Sequence, residues 1–513
     1  MNIHPSALLR AAEQAAFESG ATTPDALMDA AIAACCVLLE QDAAFAGAAR
    51  RYRRAIVYAG KGNNAGDAIG LARCLGFADI HLRCAAPLHT MSAETRRQLA
   101  AIPPERLHVE PATPAIDGPA LLIDGLLGSG ARGSLRPEYA QLVEELNTLR
   151  RTHPRSLTLA LDIPTGLAPD TPALPRCAVR ADATLAIGCV KPGMLADGAE
   201  DYVGRLLCVP LPPSCIQLPE SPAQALGEDT LTWLPQRSYS HYKNRAGRVR
   251  VIAGSPGYTG AAQMCAEAAL AAGAGLVELY CLPGEHAILA ARVAAEIMVR
   301  PVTSYAEVPA EGADALLIGP GLGQPSAENR RALQALVESA TCPLVLDADG
   351  LNLAAAHRWA LPRTAILTPH PGEMRRLFPA AAELTRAAAA ASFVGSTPCT
   401  LLLKGARSII TDGERFYYNT TGGPWMANGG QGDVLSGAVA ALAAQGLPPV
   451  RAAALGAWLC GRAATCAWAA AGFPLAVRAT QLLPHLTRLY CTKSLGIGRS
   501  SGAFEAGITG GAE

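Results

Sequence analysis

Short apolar runs recur along the chain, each ended by a cluster of Gly, Asp, Asn or Pro and followed by an Ala- and Leu-rich segment. The earlier runs are Ala55–Ala59, Leu121–Ile123, Leu157–Leu161 and Ala183–Ile187. Their followers are Gly60–Asp67, Asp124–Gly133, Asp162–Gly166 and Lys191-Pro192-Gly193. The later runs are Val249–Ile252, Leu316–Ile318, Leu344–Leu346, Ala365–Leu367 and Thr400–Leu403, followed by Gly254–Gly260, Gly319–Gly323, Asp347–Asn352, Thr368–Glu373 and Lys404–Ala406. Runs that are apolar throughout predict strands buried on both faces, and intervening helical segments predict a parallel sheet covered on both sides. Ligands of such sheets bind beyond the carboxyl ends of the strands. The polar clusters occupy those ends in both halves. A Pro-rich stretch at 209–222 reads as a linker between them. The pattern predicts two α/β domains, each with its own site.

Composition narrows the function. The chain has 513 residues, enough for more than one domain, and half are hydrophobic. Lys plus Arg and Asp plus Glu are 43 each, so no global field favours nucleic acid or a membrane surface. Anionic ligands must then be held by local devices. Fifteen cysteines, an odd number without a CxxC pair, read as reduced thiols in a cytoplasmic protein. No basic-then-apolar leader and no unbroken apolar run of ~18 residues predicts a signal peptide or a membrane span. The expected partners are small molecules and further copies of the chain.

In the first half, Gly60-Lys61-Gly62-Asn63-Asn64-Ala65 matches G-x-G-x-x-A, a weak dinucleotide signal by itself. A dinucleotide site would also want an acid at the end of the next strand, and the nearby Asp79 precedes that strand. Asn63, Asn64 and Asp67 add side-chain donors and acceptors where an ordinary phosphate loop uses backbone; a self-stabilising Asx turn is the alternative. Asp124 and Asp162 each close an apolar run, and each alone could be a helix N-cap. Together with the asparagines they make a hard-oxygen cluster suited to an alkali or alkaline-earth cation, or to acid–base chemistry.

In the second half the richest stretch is Gly422-Gly-Pro-Trp-Met-Ala-Asn-Gly-Gly-Gln-Gly-Asp433-Val-Leu-Ser-Gly437, with a helical pattern beginning at Val434. Glycines let amides turn toward one point, and a helix N-terminus adds unpaired N–H groups. Asp433 at the mouth of this anion hole needs a task, such as taking a proton. His370 is held between two prolines, and Lys404 follows a strand as a fixed cation for phosphate. The combination points to phosphoryl transfer without a Walker A loop.

Asn63-Asn-Ala-Gly-Asp67, Ile123-Asp-Gly-Leu-Leu-Gly-Ser-Gly130, Leu161-Asp-Ile-Pro-Thr-Gly166 and Leu27-Met-Asp29 resemble the motifs of NAD(P)H-hydrate epimerase domains. The resemblance implies a Rossmann-like three-layer α/β/α domain over 1–215, with Asn64, Asp124 and Thr165 ligating K+. It implies contacts to the hydrated nucleotide from Asn63, Asn64, Ala65, Gly66, Asp67, Gly128, Ser129, Gly130, Ala131, Arg132, Gly133, Ser134 and Asp162. Asp162 would assist epimerisation at the hydroxylated ring carbon. The family usually has Gly-Gly-Asp-Gly where this chain has Ala65-Gly66-Asp67-Ala68. Alanine would be strained there if the loop needed positive φ.

His241-Tyr-Lys243, Ala253-Gly-Ser-Pro-Gly257, Gly319-Pro-Gly-Leu-Gly323, Asp347-Ala-Asp-Gly-Leu-Asn352, Leu367-Thr-Pro-His-Pro-Gly-Glu373, Leu403-Lys-Gly405 and Gly429–Gly437 resemble the ribokinase-like, ADP-dependent NAD(P)H-hydrate dehydratases. The implied domain is a ribokinase-like α/β fold over 225–495, followed by a Gly-rich tail over 496–513. Ala261, Gly321, Gly323, His370 and Asp433 would hold the substrate, with Asp433 as catalytic base. Lys404, Gly405, Ala406, Arg407, Ser408 and Gly432 would hold the adenine nucleotide. The implied co-substrate is ADP, with Mg2+, and the substrates are NADHX and NADPHX. The whole then reads as a bifunctional repair enzyme. The rival readings are an ATP-dependent small-molecule kinase of the ribokinase class and a nucleotide-binding scaffold without turnover.

Overall fold

A computed structural model describes residues 1–42 and 44–494; the expected Gly-rich tail at 496–513 lies outside the described residues. The backbone divides into two compact units, with the boundary between Ala225 and Leu226. Both are α/β.

The first unit carries seven strands in the spatial order Leu107–Val109, Asp79–Cys84, Arg54–Ala59, Ala120–Gly125, Leu157–Leu161, Ala183–Ile187, Arg205–Val209. All the pairings are parallel. The chain runs outward from Arg54–Ala59 to one edge, then restarts beside it at Ala120–Gly125. That reversal opens a crevice between the ends of these two strands, where open α/β sheets bind ligands. Successive side chains alternate between faces. Ile56, Tyr58, Ala120 and Leu122 pack one core with Leu142, Val143 and Leu146 of the helix Pro137–Thr152.

The strands Ile297–Pro301, Leu276–Cys281, Arg248–Ile252, Ala315–Ile318, Leu344–Leu346, Ala365–Leu367 and Thr400–Leu403 adjoin in that order and run parallel in the second unit. An antiparallel hairpin, Ile409–Thr411 and Phe416–Tyr418, continues the sheet. The order again reverses beside Arg248–Ile252. Val249, Val251, Leu317, Val345, Ile366 and Leu402 face one core, filled by the Ala-rich helices Thr259–Ala271, Gln431–Ala444 and Pro449–Ala470. Ile252, Leu316, Ile318, Leu346, Leu367 and Leu403 face the other. Every expected strand is present. The sequence pattern missed Asp79–Cys84, Leu107–Val109, Arg205–Val209, Leu276–Cys281 and Ile297–Pro301, together with the hairpin.

Alanine-rich helices bury little area each, so they must pack closely. A Cβ on Gly437 would fall onto the carbonyl oxygen of Cys265 in the neighbouring helix. Gly437→Val should therefore lower the unfolding free energy of the second unit by about 1–3 kcal/mol, as overpacking does. Thermal denaturation checks this, and an unchanged midpoint would refute the close approach. Among the described residues no helix is long and apolar enough to cross a membrane.

Candidate active sites

In the first unit a cavity of about 1040 Å³ sits at the reversal of strand order. Asn63, Asn64, Asp67, the loop Gly128–Ser134 and Asp162 line it, with Arg10, Glu13 and Met28 from the two N-terminal helices. Asn63 to Asp67 form the first turn of the helix Asn63–Cys74. Ala65 and Gly66 point inward, and a Cβ on Gly66 would stand 2.8 Å from Met28 Sδ. Neither Ala65 nor Ala68 has positive φ. Both are wholly buried, so alanine suits these positions and the departure from glycine carries no backbone strain.

Asp162 follows the strand Leu157–Leu161 with φ +64°, a left-handed conformation costly for a non-glycine residue. Its Oδ2 accepts the Ser129 N–H at 2.7 Å, and its Oδ1 accepts from Lys191 Nζ. Lys191 is fully buried and also donates to the Ile187 carbonyl at 2.9 Å. Burial pushes the Asp162 pKa up, but Lys191 and the Ser129 amide outweigh it and hold the group below its ordinary value. Asp67 goes the other way. Burial, then the charges of Asp162 and Glu13, raise its pKa to about 8. The sequence pattern places Lys191 in a strand-end cluster without a role and does not single out Glu13. Lys191 closes the apolar run Leu185–Val190, the one signal that a lysine was headed for the interior.

Asp124 and Thr165 lie behind the cavity wall. Asp124 is wholly buried; its carboxylate accepts the Thr165 N–H and hydroxyl, both at 2.8 Å, and the Leu126 N–H at 3.2 Å. Burial leads these bonds and lifts its pKa to about 6. Both amide atoms of Asn64 are buried without any hydrogen-bond partner. An orphaned buried carbonyl oxygen is costly unless something binds it. Oxygen donors of the kinds that Asn64, Asp124 and Thr165 carry are those that suit an alkali cation.

In the second unit the strand-end clusters meet. Lys404 Nζ contacts Asp347 Oδ1 at 2.8 Å and Glu373 Oε2 at 3.8 Å. A Cβ on Gly432 would stand 3.4 Å from Lys404 Nζ and 3.8 Å from Asp347 Oδ2. Burial would lower the Lys404 pKa, yet Asp347 and Glu373 more than reverse this and hold it raised. The helix holding Asp433 begins at Gln431, earlier than the pattern predicted, so Asp433 lies in its first turn. Gly430 precedes it at φ +90°, a conformation that favours glycine. Burial, then the negative charge of Asp347, raise the Asp433 pKa to about 6, with Lys404 partly offsetting them.

His370 caps the helix Pro371–Leu377. Its Nδ1 accepts the N–H groups of Gly372 at 2.9 Å and Glu373 at 3.3 Å. Gly321 and Gly323 meet the loop before the helix Thr259–Ala271 and its first turn: Ser255 Oγ donates to the Gly321 carbonyl at 2.8 Å, and a Cβ on Gly321 would stand 3.1 Å from that of Ala261. Gly323 N–H donates to Asp349 Oδ2 at 2.8 Å. The Lys404–Ser408 loop is propped from below by Arg386, which donates to the carbonyls of Arg407 at 2.9 Å and Leu403 at 3.4 Å.

Comparison with known proteins gives the same division. The YjeF-related N-terminus family model matches residues 24–193, and the NAD(P)H-hydrate dehydratase model matches residues 249–488. The bifunctional NAD(P)H-hydrate repair enzyme of Moorella thermoacetica is 34% identical over 448 residues, 80% of this chain and 82% of that protein. The chain belongs to the bifunctional NAD(P)H-hydrate repair family. The Escherichia coli member is 35% identical over 419 residues, 79% of each protein. The structure of the Bacillus subtilis ADP/ATP-dependent NAD(P)H-hydrate dehydratase, co-crystallised with ATP and Mg2+, is similar at 27% identity and a TM-score of 0.46, covering 52% of this chain and 96% of that one. As a family member the chain is an enzyme with an epimerase and a dehydratase domain.

Proposed function

We propose that the first unit interconverts the R and S hydrates of NAD(P)H, and that the second dehydrates the S form with ADP, giving AMP, phosphate and NAD(P)H. The observation that carries the second half is the meeting of Lys404, Asp347, Gly432 and Asp433 at one helix N-terminus. Amides of that N-terminus and the Lys404 ammonium face the phosphates of the nucleotide. Asp433 takes the proton of the ring hydroxyl as the phosphoryl group arrives. The poor leaving group becomes phosphate, whose departure restores the nicotinamide ring. Lys404, Gly405, Ala406, Arg407, Ser408 and Gly432 hold the nucleotide; Ala261, Gly321, Gly323 and His370 hold the hydrate. Among the described residues no cluster of three or more His, Cys, Asp or Glu side chains is placed to hold a metal ion. A magnesium ion would accordingly be carried chiefly by the phosphates and water, as is usual for this cation.

In the first unit Asn63, Asn64, Asp67, Gly128–Ser134 and Asp162 receive the hydrated nucleotide, with Ala65 and Gly66 seating the helix behind them. Potassium, held by Asn64, Asp124 and Thr165, would supply a fixed positive charge under the ends of the strands. A stereospecific dehydratase alone would strand half of a mixed pool, which is the chemical reason for joining the two activities.

The test is to incubate the protein with mixed hydrate epimers and ADP and follow NADH absorbance. Recovery of the whole mixture faster than spontaneous epimerisation supports both activities. Recovery of about half leaves the first unit inactive, and none with folded protein ends the dehydratase reading. A stable phosphorylated product formed only with ATP would favour a kinase. Asp347→Ala should raise KM for ADP about tenfold, the equivalent of ~1.4 kcal/mol for a lost hydrogen bond to a charged group.

A further inference from the structure

Four carboxyl groups, Glu13, Asp67, Asp162 and Asp170, line the first unit's cavity. Three of them have cations at hand. Asp162 binds Lys191, Glu13 feels Lys191 and Arg10, and Asp170 pairs with Arg132 at 3.6 Å. The Asp67 side chain has neither a hydrogen bond nor an ion pair among the described residues, and it lies half-buried one turn into its helix. The ionisable groups that act on it are Asp162 from the sheet end and Glu13 from the first helix, and both raise its pKa. The Cys35 thiol from the second helix is also close, and burial keeps it protonated. A buried, uncompensated carboxyl with other acids acting on it keeps its proton at neutral pH, while Asp162 beside Lys191 loses its own. Two acids driven apart by their surroundings make an acid–base pair.

We propose that Asp67 is a catalytic residue of the epimerisation, the proton donor to the hydroxyl that leaves the hydrated ring carbon. This rests on the reading of the cavity as the epimerase site with Asp162 as the accepting carboxylate. The C–O bond breaks with its electron pair going to oxygen, and the Asp67 proton converts the hydroxyl into water. The ring nitrogen's lone pair forms a C=N bond in its place. Water then adds to the other face of that carbon, a C–O bond forms, the nitrogen recovers its pair, and Asp162 takes the proton released. Nothing is oxidised or reduced. Proton exchange with solvent in the open cavity resets the two carboxyls.

The test compares wild type, D67N, D67E, E13Q and D162N as full chains, with R hydrate as substrate and dehydration of pure S hydrate as the measure of an intact second unit. D67N should lower kcat for epimerisation at least 100-fold, within the range for loss of a general acid, with KM little changed. Wild type should lose rate above about pH 8, where Asp67 ionises. D67E should keep such a limb and D67N should lack it. E13Q should move it to lower pH, because a like charge has been removed. A wild-type rate that stays level through alkaline pH overturns the proposal whether or not any variant folds. So does D67N at the wild-type kcat, or a loss confined to KM. If D67N is slow while D162N keeps the wild-type rate, the reading of Asp162 fails and the assignment of Asp67 stands.

Discussion

Asp433→Asn should reduce dehydration of the S hydrate about 10²–10⁴-fold, the usual contribution of a positioned base, while leaving epimerisation intact. The substitution keeps the size of the side chain and removes only its ability to take a proton. Burial and the neighbouring Asp347 hold the Asp433 pKa at about 6, against an ordinary value of 3.8. The wild-type rate should therefore fall with one acid limb near pH 6, and the variant's residual rate should lack it. The sign for stability is opposite to that for activity. A carboxyl whose folded pKa is raised costs stability when ionised, and the cost is present in full above about pH 6. It is relieved as pH falls from there toward the ordinary value. At neutral pH the variant should melt no lower than wild type. A parallel loss of activity and melting temperature would mean that Asp433 is structural.

Lys191→Met should cost the first unit about 3–5 kcal/mol at neutral pH, the range for removing one partner of a buried ion pair. It should also abolish epimerisation. The ammonium is fully buried and its partner Asp162 is 15% exposed, so the orphaned carboxylate has only the cavity for solvation. Asp162 has a lowered pKa, so its contribution to wild-type stability is present above its ordinary pKa and is lost as pH falls through the folded value. Once the lysine is gone, Asp162 becomes easier to protonate. The stability gap between wild type and variant should accordingly narrow on acidification. Denaturation midpoints at neutral and acid pH check this; a constant gap would mean that the pair contributes packing alone.

Much of the candidate site in the second unit was legible because its residues lie in contiguous motifs. Asp433, Gly432, Lys404 and His370 each stand at a strand end or helix start, and the alternation of apolar runs with polar clusters already placed those ends together. Asp79–Cys84 and Leu276–Cys281 failed the same criterion. In Asp79–Cys84 only Ile80 and Leu82 are fully buried, so no continuous run marks it. Leu276–Cys281 is interrupted by Glu278, whose charge is met by Arg250 at 3.0 Å from the adjacent strand. A pairing between strands distant in the chain leaves no local signature.

Local order in the chain determined the two α/β units, the positions of most strands and the loops that carry glycine and carboxylate, because periodicity and backbone freedom are properties of neighbouring residues. Which carboxylates hold a proton was decided only in three dimensions. Asp67, Asp162 and Asp433 are alike in sequence, yet Lys191 lowers one pKa while burial and like charges raise the other two. Those neighbours come from separate strands and helices, and electrostatic energy depends on distance through space and on exclusion of water.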